Sequence, residues 1–339
     1  MIAGFVGLYL ISVISRNQRI VVQNRGQGFW HGFPYVYMSE LDYFFANCIS
    51  QSKENISLKI VPVEKPLKLT NDGALEIVFL GVGGAFSQTL FNTNFLIIKG
   101  DAHLLVDFGT TGPFSLPAST GLTLSDIGAL LPTHSHCDHI GGIESLALWN
   151  RYVAIPQFGK QKISMIISEE YEHILWNQSL RGGMEQNEYS SEGKPLAMSD
   201  FFDLVRPTWI ERESRLKLDI NWRGIHIELF GTNHVPEQAS SASSAFITHG
   251  LHIDDRIFFS GDTKFDMELL NSYAERSEYM FHDASFFPNP VHASLEELRT
   301  LPSSMKEKMF LVHYGDAHAE QHVEEFCGFA QKGMRYIFD

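Results

Sequence analysis

The stretch Leu131-Pro-Thr-His-Ser-His-Cys-Asp-His-Ile-Gly-Gly142 constrains this chain more than any other. It sets four metal-capable side chains, His134, His136, Asp138 and His139, within six residues. The apolar run Ile127–Leu131 leading into it predicts a buried strand that ends near Thr133. Side chains two apart on extended backbone point the same way, so His134 and His136 can face one ion. Asp138 and His139 follow a change of direction and can reach a second ion beside it. Gly141-Gly142 then lets the backbone turn tightly into a helix. A polar loop that is His-rich by chance is the alternative, but metal gives such clustering a reason and a solvated loop does not.

His-x-His-x-Asp-His after a strand resembles the signature of the metallo-β-lactamase-fold hydrolases. The resemblance implies an α/β (α+β) fold, a four-layer αββα sandwich with two metals at one edge. It covers residues 73–339, behind an N-terminal accessory segment over residues 1–72. Such a motif is specific for fold and poorly specific for substrate.

Two metals in that arrangement need three further protein positions, and each has a candidate after a predicted strand. Ile225–Phe230 leads to His234, Arg256–Ser260 to Asp262, and Met309–Val312 to His313. By the resemblance, His134, His136 and His234 hold the first metal, Asp138, His139 and His313 hold the second, and Asp262 bridges the pair. A water or hydroxide fills the remaining shared position. Seven N/O ligands without a thiolate suit two Zn²⁺ per chain, and the same donors accept Mn²⁺ or Fe²⁺. Asp107 closes the second strand of a predicted hairpin, Phe95–Ile98 and His103–Phe108, and is expected to support the ligand loop through hydrogen bonds. His173, His226, His249 and His252 have no such placement and read as structural or surface. His318 and His322, four apart, read as the solvated face of a last helix.

One further stretch narrows the chemistry. Tyr279-Met-Phe-His282-Asp283-Ala284-Ser285 resembles the His-Glu-Ala-Thr segment of the branch that holds tRNA 3′-processing endonucleases and cyclic-nucleotide phosphodiesterases. Val291-His292-Ala293-Ser294 is similar to that branch's later His, and Ser260-Gly-Asp-Thr263 to its bridging-Asp segment. The chain departs from the pattern in having Asp283 for the longer Glu and a short spacing between segments. Breaking a phosphodiester needs a nucleophile, charge neutralisation on the phosphoryl oxygens and a proton for the departing alkoxide. A dinuclear site supplies the first two. His292, oriented by Asp283, is expected to supply the third as a general acid, worth roughly 10²–10⁴-fold. His282 and the motif's Asp138 complete the catalytic candidates. The competing structural readings are a strand-end core residue for His282 and a helix start for His292, with Ser294 capping Leu295–Leu301.

The resemblance extends to anti-Pycsar phosphodiesterases, which implies hydrolysis of a small cyclic nucleotide by attack of a metal-bridging hydroxide on phosphorus. Formal net charge is −14, from 40 acidic and 26 basic residues, which opposes the many phosphate contacts that long nucleic acids require. A tRNA 3′-processing endonuclease is the alternative, and no Gly/Pro-rich basic arm for gripping tRNA is visible. A hydrolase of another ester, lactone or β-lactam leaves His282, Asp283 and His292 unexplained. A non-catalytic binding protein on a degenerate fold would not need all seven ligand positions filled.

Elsewhere the chain reads more simply. Met1–Ile14 is apolar but lacks a basic start and is short for a spanning helix, so no stable membrane insertion and a cytoplasmic location are expected. Cys48, Cys137 and Cys327 are scattered without CxxC pairing, as in reduced thiols. Strands are expected at Arg19–Gln23, Leu58–Val63 and Leu75–Leu80. Eight aromatic residues lie between Phe29 and Phe45 and read as a small accessory core or as a stacking wall or partner surface, and residues 15–72 are expected to bury aromatic surface in a homodimer and help complete the substrate pocket. Residues 109–124 read as a loop, Ile143–Tyr152 as a helix, Ile163–Ile167 as a strand and Glu169–Leu180 as a helix. The irregular stretch Arg181–Pro195 is a candidate lid, with Arg181 its best anion-binding side chain.

Overall fold

Strands in this chain are apolar on both faces, so each sheet must be covered twice. The structure, a computed structural model, describes residues 58–339. The strand expected at Arg19–Gln23, the aromatic run Phe29–Phe45, the Met1–Ile14 segment and Cys48 lie outside the described residues.

The first sheet contains β1 (Leu58–Pro62), β2 (Leu75–Gly81), β3 (Asn94–Lys99), β4 (Ala102–Val106), β5 (Ala129–Leu131), β6 (Ile163–Ile166), β7 (Phe202–Val205) and β16 (Met334–Phe338), in the order β1-β16-β2-β3-β4-β5-β6-β7. The second contains β8 (Thr208–Glu211), β9 (Lys217–Trp222), β10 (Ile225–Gly231), β11 (His249–Ile253), β12 (Ile257–Phe259), β13 (Tyr279–Asp283), β14 (Met309–Val312) and β15 (Gly328–Phe329), in the order β15-β14-β13-β12-β11-β10-β9-β8. Side-chain alternation divides each strand between two cores. Along β2, Ile77 and Phe79 join Ile227, Leu251 and Phe281 between the sheets. Val78 and Leu80 face the other way and pack with Leu116, Ile143, Leu146 and Tyr171 from the helices over the first sheet. Phe230, Phe258 and Met280 pack with Leu269, Leu270 and Leu298 from the helices over the second. The layers are therefore helix, sheet, sheet, helix, the metallo-β-lactamase fold. Among the described residues no helix is long and apolar enough to cross a membrane.

Three expectations need revision. The supposed loop 109–124 contains a helix, Gly112–Thr120, despite its Pro, Ser and Thr content. Proline is at home in the first helical turn, Gly121 ends the helix with φ 73°, and Leu116 and Ser119 are buried, Ser119 Oγ donating to the Leu80 carbonyl at 2.6 Å. Burial here overrides intrinsic propensity. Secondly, His318 sits on a short 3₁₀ turn, Asp316–Glu320, and His322 falls beyond it, so the two share no helix face. Thirdly, β1 pairs antiparallel with β16, from Leu58 opposite Phe338 to Pro62 opposite Met334. This strand, read from sequence within the accessory segment, is an edge of the first sheet, and Leu58 and Ile60 pack on the inter-sheet core. Removing residues 1–65 should therefore cost about 2 kcal/mol more than removing residues 1–54, from those two half-buried side chains. Denaturant unfolding of the two truncations measures the difference, and equal midpoints would contradict it.

His249, the first residue of β11, illustrates a histidine with a purely structural place. It is buried, its Nδ1 lies 3.2 Å from the Thr133 carbonyl, and burial pushes its pKa down to about 4. The unfolded value is near 6.5, so the unfolded chain takes up the proton first as pH falls. This contribution to stability is fully present above pH 6.5 and lost between 6.5 and about 4, a total of about 3 kcal/mol. His249→Gln should flatten that part of the stability profile in urea unfolding between pH 7 and 4.5. An unchanged slope would show that His249 does not titrate there.

Candidate metal centre

The strand ladders bring the carboxyl ends of six strands to one edge. β4 and β5 are parallel, β12, β13 and β14 are parallel, and β10 runs with β12 because both are antiparallel to β11. His134 and His136 follow β5, and the short helical turn Cys137–Ile140 carries Asp138 and His139. His234 follows β10, Asp262 follows β12, Asp283 ends β13 and His313 follows β14 directly. Gly261 makes the turn before Asp262 possible. Its φ is 58°, and a Cβ there would lie 2.4 Å from the His249 carbonyl oxygen.

The seven sequence-predicted ligands meet in two groups that share one carboxylate. His134, His136, His234 and Asp262 offer ligand atoms within 4.8 Å of one another, as do Asp138, His139, His313 and Asp262. Asp262 Oδ2 is the common point: it lies 3.7 Å from His134 Nε2, 3.8 Å from His234 Nε2, 3.2 Å from His139 Nε2 and 3.3 Å from His313 Nε2. Asp138 Oδ2 stands 3.4 Å from His139 Nε2 and 3.1 Å from His313 Nε2. His136 turns its Nδ1 inward, 3.1 Å from His234 Nε2.

Outer partners explain why these nitrogens converge. His139 Nδ1 lies 2.7 Å from Asp107 Oδ2, and Asp107 also accepts from the Thr133 amide at 2.7 Å and hydroxyl at 2.8 Å. The support role read for Asp107 thus has a geometry: one carboxylate ties His139 to the turn before His134. His234 Nδ1 faces the Val291 carbonyl at 2.8 Å, and His313 Nδ1 faces Asp283 Oδ1 at 3.4 Å. With each Nδ1 occupied, Nε2 is left to face the cluster. The Val291 contact had no sequence signal, because any residue carries a carbonyl.

The donor set fits two cations. His134 Nε2 and His139 Nε2 are buried with no hydrogen-bond partner among the described residues, a state that costs free energy unless something else occupies the lone pair. Burial would raise the pKa of Asp262, but the imidazoles of His139 and His313 outweigh it and hold the carboxyl well below its usual range. Asp138 behaves in the same way, held down chiefly by His139 against its burial. His234 is pushed down to about 4, mainly by burial, and His134 is lowered for the same reason. The neutral imidazoles of His134 and His234 and the ionised carboxylates are the states a divalent ion needs. Burial would lower His139 and His313, but the surrounding carboxylates outweigh it and raise both well above the ordinary value, so these two would give up a proton to an ion.

Beside the second group stands a further pair. His292 Nδ1 lies 2.7 Å from Asp283 Oδ2, and the His292 ring centroid is 4.8 Å from that of His234 and 4.9 Å from that of His313. Asp283 also accepts from the Thr263 amide at 3.1 Å. Ser294 Oγ caps the helix Leu295–Arg299, accepting from the Glu297 amide, so the structural reading of this segment holds alongside its nearness to the cluster.

The sequence model of the anti-Pycsar protein Apyc1 family matches residues 75–336. An anti-Pycsar protein Apyc1 of Bacillus phage BSP38 is 36% identical over 273 residues, 77% of this chain and 98% of the relative. The chain belongs to the anti-Pycsar Apyc1 family. Solved structures show the same fold at greater distance. The metallo-β-lactamase fold protein YhfI from Bacillus subtilis aligns with a TM-score of 0.56 at 14% identity, over 78% of this chain and 99% of its own. The short form of human tRNase Z aligns with a TM-score of 0.51 at 14% identity, over 77% and 98% respectively.

Other candidates of this Apyc1-family chain lie away from the cluster. His282 precedes Asp283 on β13, so its side chain leaves the opposite face of the strand. It is buried, its ring stacks on Phe258 at 6.4 Å and its Nδ1 faces the Asp283 carbonyl at 2.7 Å. The catalytic expectation for His282 is therefore withdrawn. Arg181 is committed to Glu185 one helical turn on, at 2.7 Å, which removes its planar fork from anion binding. His226 pairs with Asp219 and His252 with Ser277, both far along β10 and β11 from the ligand-bearing ends. Cys137 is exposed.

Proposed function

We propose that this protein is a dinuclear-metal phosphodiesterase that hydrolyses a small cyclic nucleotide. The observation that carries the reading is the Asp283–His292 pair held against the shared edge of the two ligand groups. A simple ester or lactam hydrolase has no use for an imidazole beyond the five of the ligand groups, whereas expulsion of a ribose alkoxide needs a proton. Family membership supports a cyclic-nucleotide substrate, and the acidic balance of the chain supports a small one over a long nucleic acid.

In this reading His134, His136 and His234 hold one ion, Asp138, His139 and His313 hold the other, and Asp262 is shared. Zn²⁺ suits the five imidazoles and two carboxylates, and Mn²⁺ or Fe²⁺ are the other ions such donors accept. The bound ions supply Lewis-acid neutralisation of the phosphoryl oxygens and activation of water. The chain's own part is orientation. Asp107, Asp283 and the Val291 carbonyl fix three ligand imidazoles, and Asp283 presents His292 with Nδ1 occupied and Nε2 available to carry a proton to the departing oxygen. The proposal includes a homodimer, which sedimentation of the full chain tests.

The deciding experiment offers cyclic mono- and dinucleotides, a tRNA precursor and a β-lactam to the purified, metal-loaded protein. A cyclic nucleotide should be opened to a monophosphate with by far the largest kcat/KM. Turnover of the tRNA precursor or the lactam alone would overturn the reading.

A further inference from the structure

The loop between β2 and β3 is fastened to the turn that bears His313 by backbone and side-chain bonds. Gly83 forms a bridge to Tyr314, and the Gly84 amide donates to the Tyr314 carbonyl at 3.2 Å. Three residues further on, one carboxylate holds the loop. Asp316 accepts from Ser87 Oγ at 2.6 Å, the Gln88 amide at 2.8 Å, Thr89 Oγ1 at 2.6 Å and the Thr89 amide at 3.2 Å. Val82 and Leu90 anchor the two ends of the loop in the inter-sheet core, but its tip buries no side chain and Phe86 is 95% exposed, so burial does not hold the tip in place. Charge-assisted hydrogen bonds of this kind are the strong ones, and together they hold the Asp316 carboxyl well below its usual range against its slight burial.

What the fastening presses on is a metal-ligand candidate. A Cβ on Gly84 would lie 3.0 Å from the His313 carbonyl oxygen and 3.3 Å from its ring Cε1, so the glycine backbone packs directly on that imidazole. His313 itself adopts φ 58°, a left-handed conformation that residues with a Cβ resist. Its ring must nevertheless deliver Nε2 to within 3.1 Å of Asp138 Oδ2 and 3.3 Å of Asp262 Oδ2. A residue in an unfavourable backbone conformation keeps its orientation only where its surroundings over-determine it. Asp283 acts on His313 through Nδ1, and Gly84 at the start of the loop tip packs on the His313 carbonyl and on the Cε1 edge of the ring.

We propose that Asp316 is a positioning residue for the ion site formed by Asp138, His139 and His313, acting through the loop it pins against the His313 imidazole. This rests on the two-ion reading above. Asp316 belongs to neither ligand group. A surface turn that merely caps itself with a carboxylate would show the same four hydrogen bonds, but its loss would leave metal binding unaltered.

The test is calorimetric titration of the metal-free full chain with Zn²⁺. His313→Ala identifies which binding step belongs to the second group. Asp316→Ala should weaken that step roughly ten-fold, at the lower end of what loss of an outer partner costs, and leave the other step within about two-fold. Asp316→Asn keeps one acceptor oxygen and should recover part of the loss. Ser87→Ala combined with Thr89→Val removes two donors from the other side of the contact and should reproduce it, which decides the matter if Asp316→Ala does not fold. Two unchanged steps, or two steps weakened alike, would overturn the assignment. A wild-type protein that binds a single ion would overturn the two-ion reading itself, a result distinct from either.

Discussion

Asp262→Ala should strip the protein of both ions and of its activity while leaving the fold in place. Asp262 Oδ2 stands within 3.2–3.8 Å of four imidazole nitrogens, two from each ligand group. A carboxylate shared by two cations both neutralises their repulsion and sets their separation, and solvent can do neither. Loss of an outer partner of a metal ligand costs roughly 10–100-fold in affinity, so loss of a shared ligand should exceed that on each binding step. Turnover should fall by at least about 10³-fold, since the proposed two-ion mechanism uses both ions at once. Asp262→Asn keeps the volume and one oxygen but not the charge, and should fail similarly. The fold should persist, because the core between the sheets is built from strand side chains such as Ile77, Phe79 and Phe281, not from this carboxylate. Elemental analysis that still found two ions per chain in Asp262→Ala would refute the shared-ligand assignment.

How far the sequence could be read depended on whether a feature was local. His134 to His139 lie within one turn of chain, so their spacing alone indicates a metal site. His234, Asp262 and His313 are far apart, but each follows an apolar run, and in a fold of this kind strand ends of the same sense meet at one edge. The helix Gly112–Thr120 escaped notice because its residues favour loops and only burial against Leu80 makes it a helix. β1 looked separate because nothing in Leu58–Pro62 says that its partner is β16, at the other end of the chain. For His282, strand alternation favours the core reading over the catalytic one. Neighbouring strand residues face opposite ways, so once Asp283 faces the cluster, His282 must face the core. The Val291 carbonyl and the Asp316 clamp had no signal at all, since backbone groups and exposed carboxylates occur everywhere.

His292→Ala should separate proton delivery from metal binding. His292 belongs to neither group that shares Asp262, so the variant should keep two ions. It should nevertheless lose roughly 10²–10⁴-fold in turnover of a cyclic nucleotide, the usual worth of a positioned general acid. The size of the loss must depend on the leaving group. A ribose alkoxide is a poor one and needs the proton as the bond breaks, whereas nitrophenolate departs readily without it, so a bis-nitrophenyl phosphodiester should suffer far less. Asp283→Asn should share the first effect, because the amide cannot hold His292 Nδ1 as the carboxylate does at 2.7 Å. It should also weaken the His313 side of the centre, because Asp283 Oδ1 lies 3.4 Å from His313 Nδ1. Both substrates are compared on each variant at matched metal content. Equal losses on the two substrates would mean that His292 positions phosphate and delivers no proton. With His282 turned into the core against Phe258, the proton would then have to come from solvent at the open side of the site, where His136 is exposed.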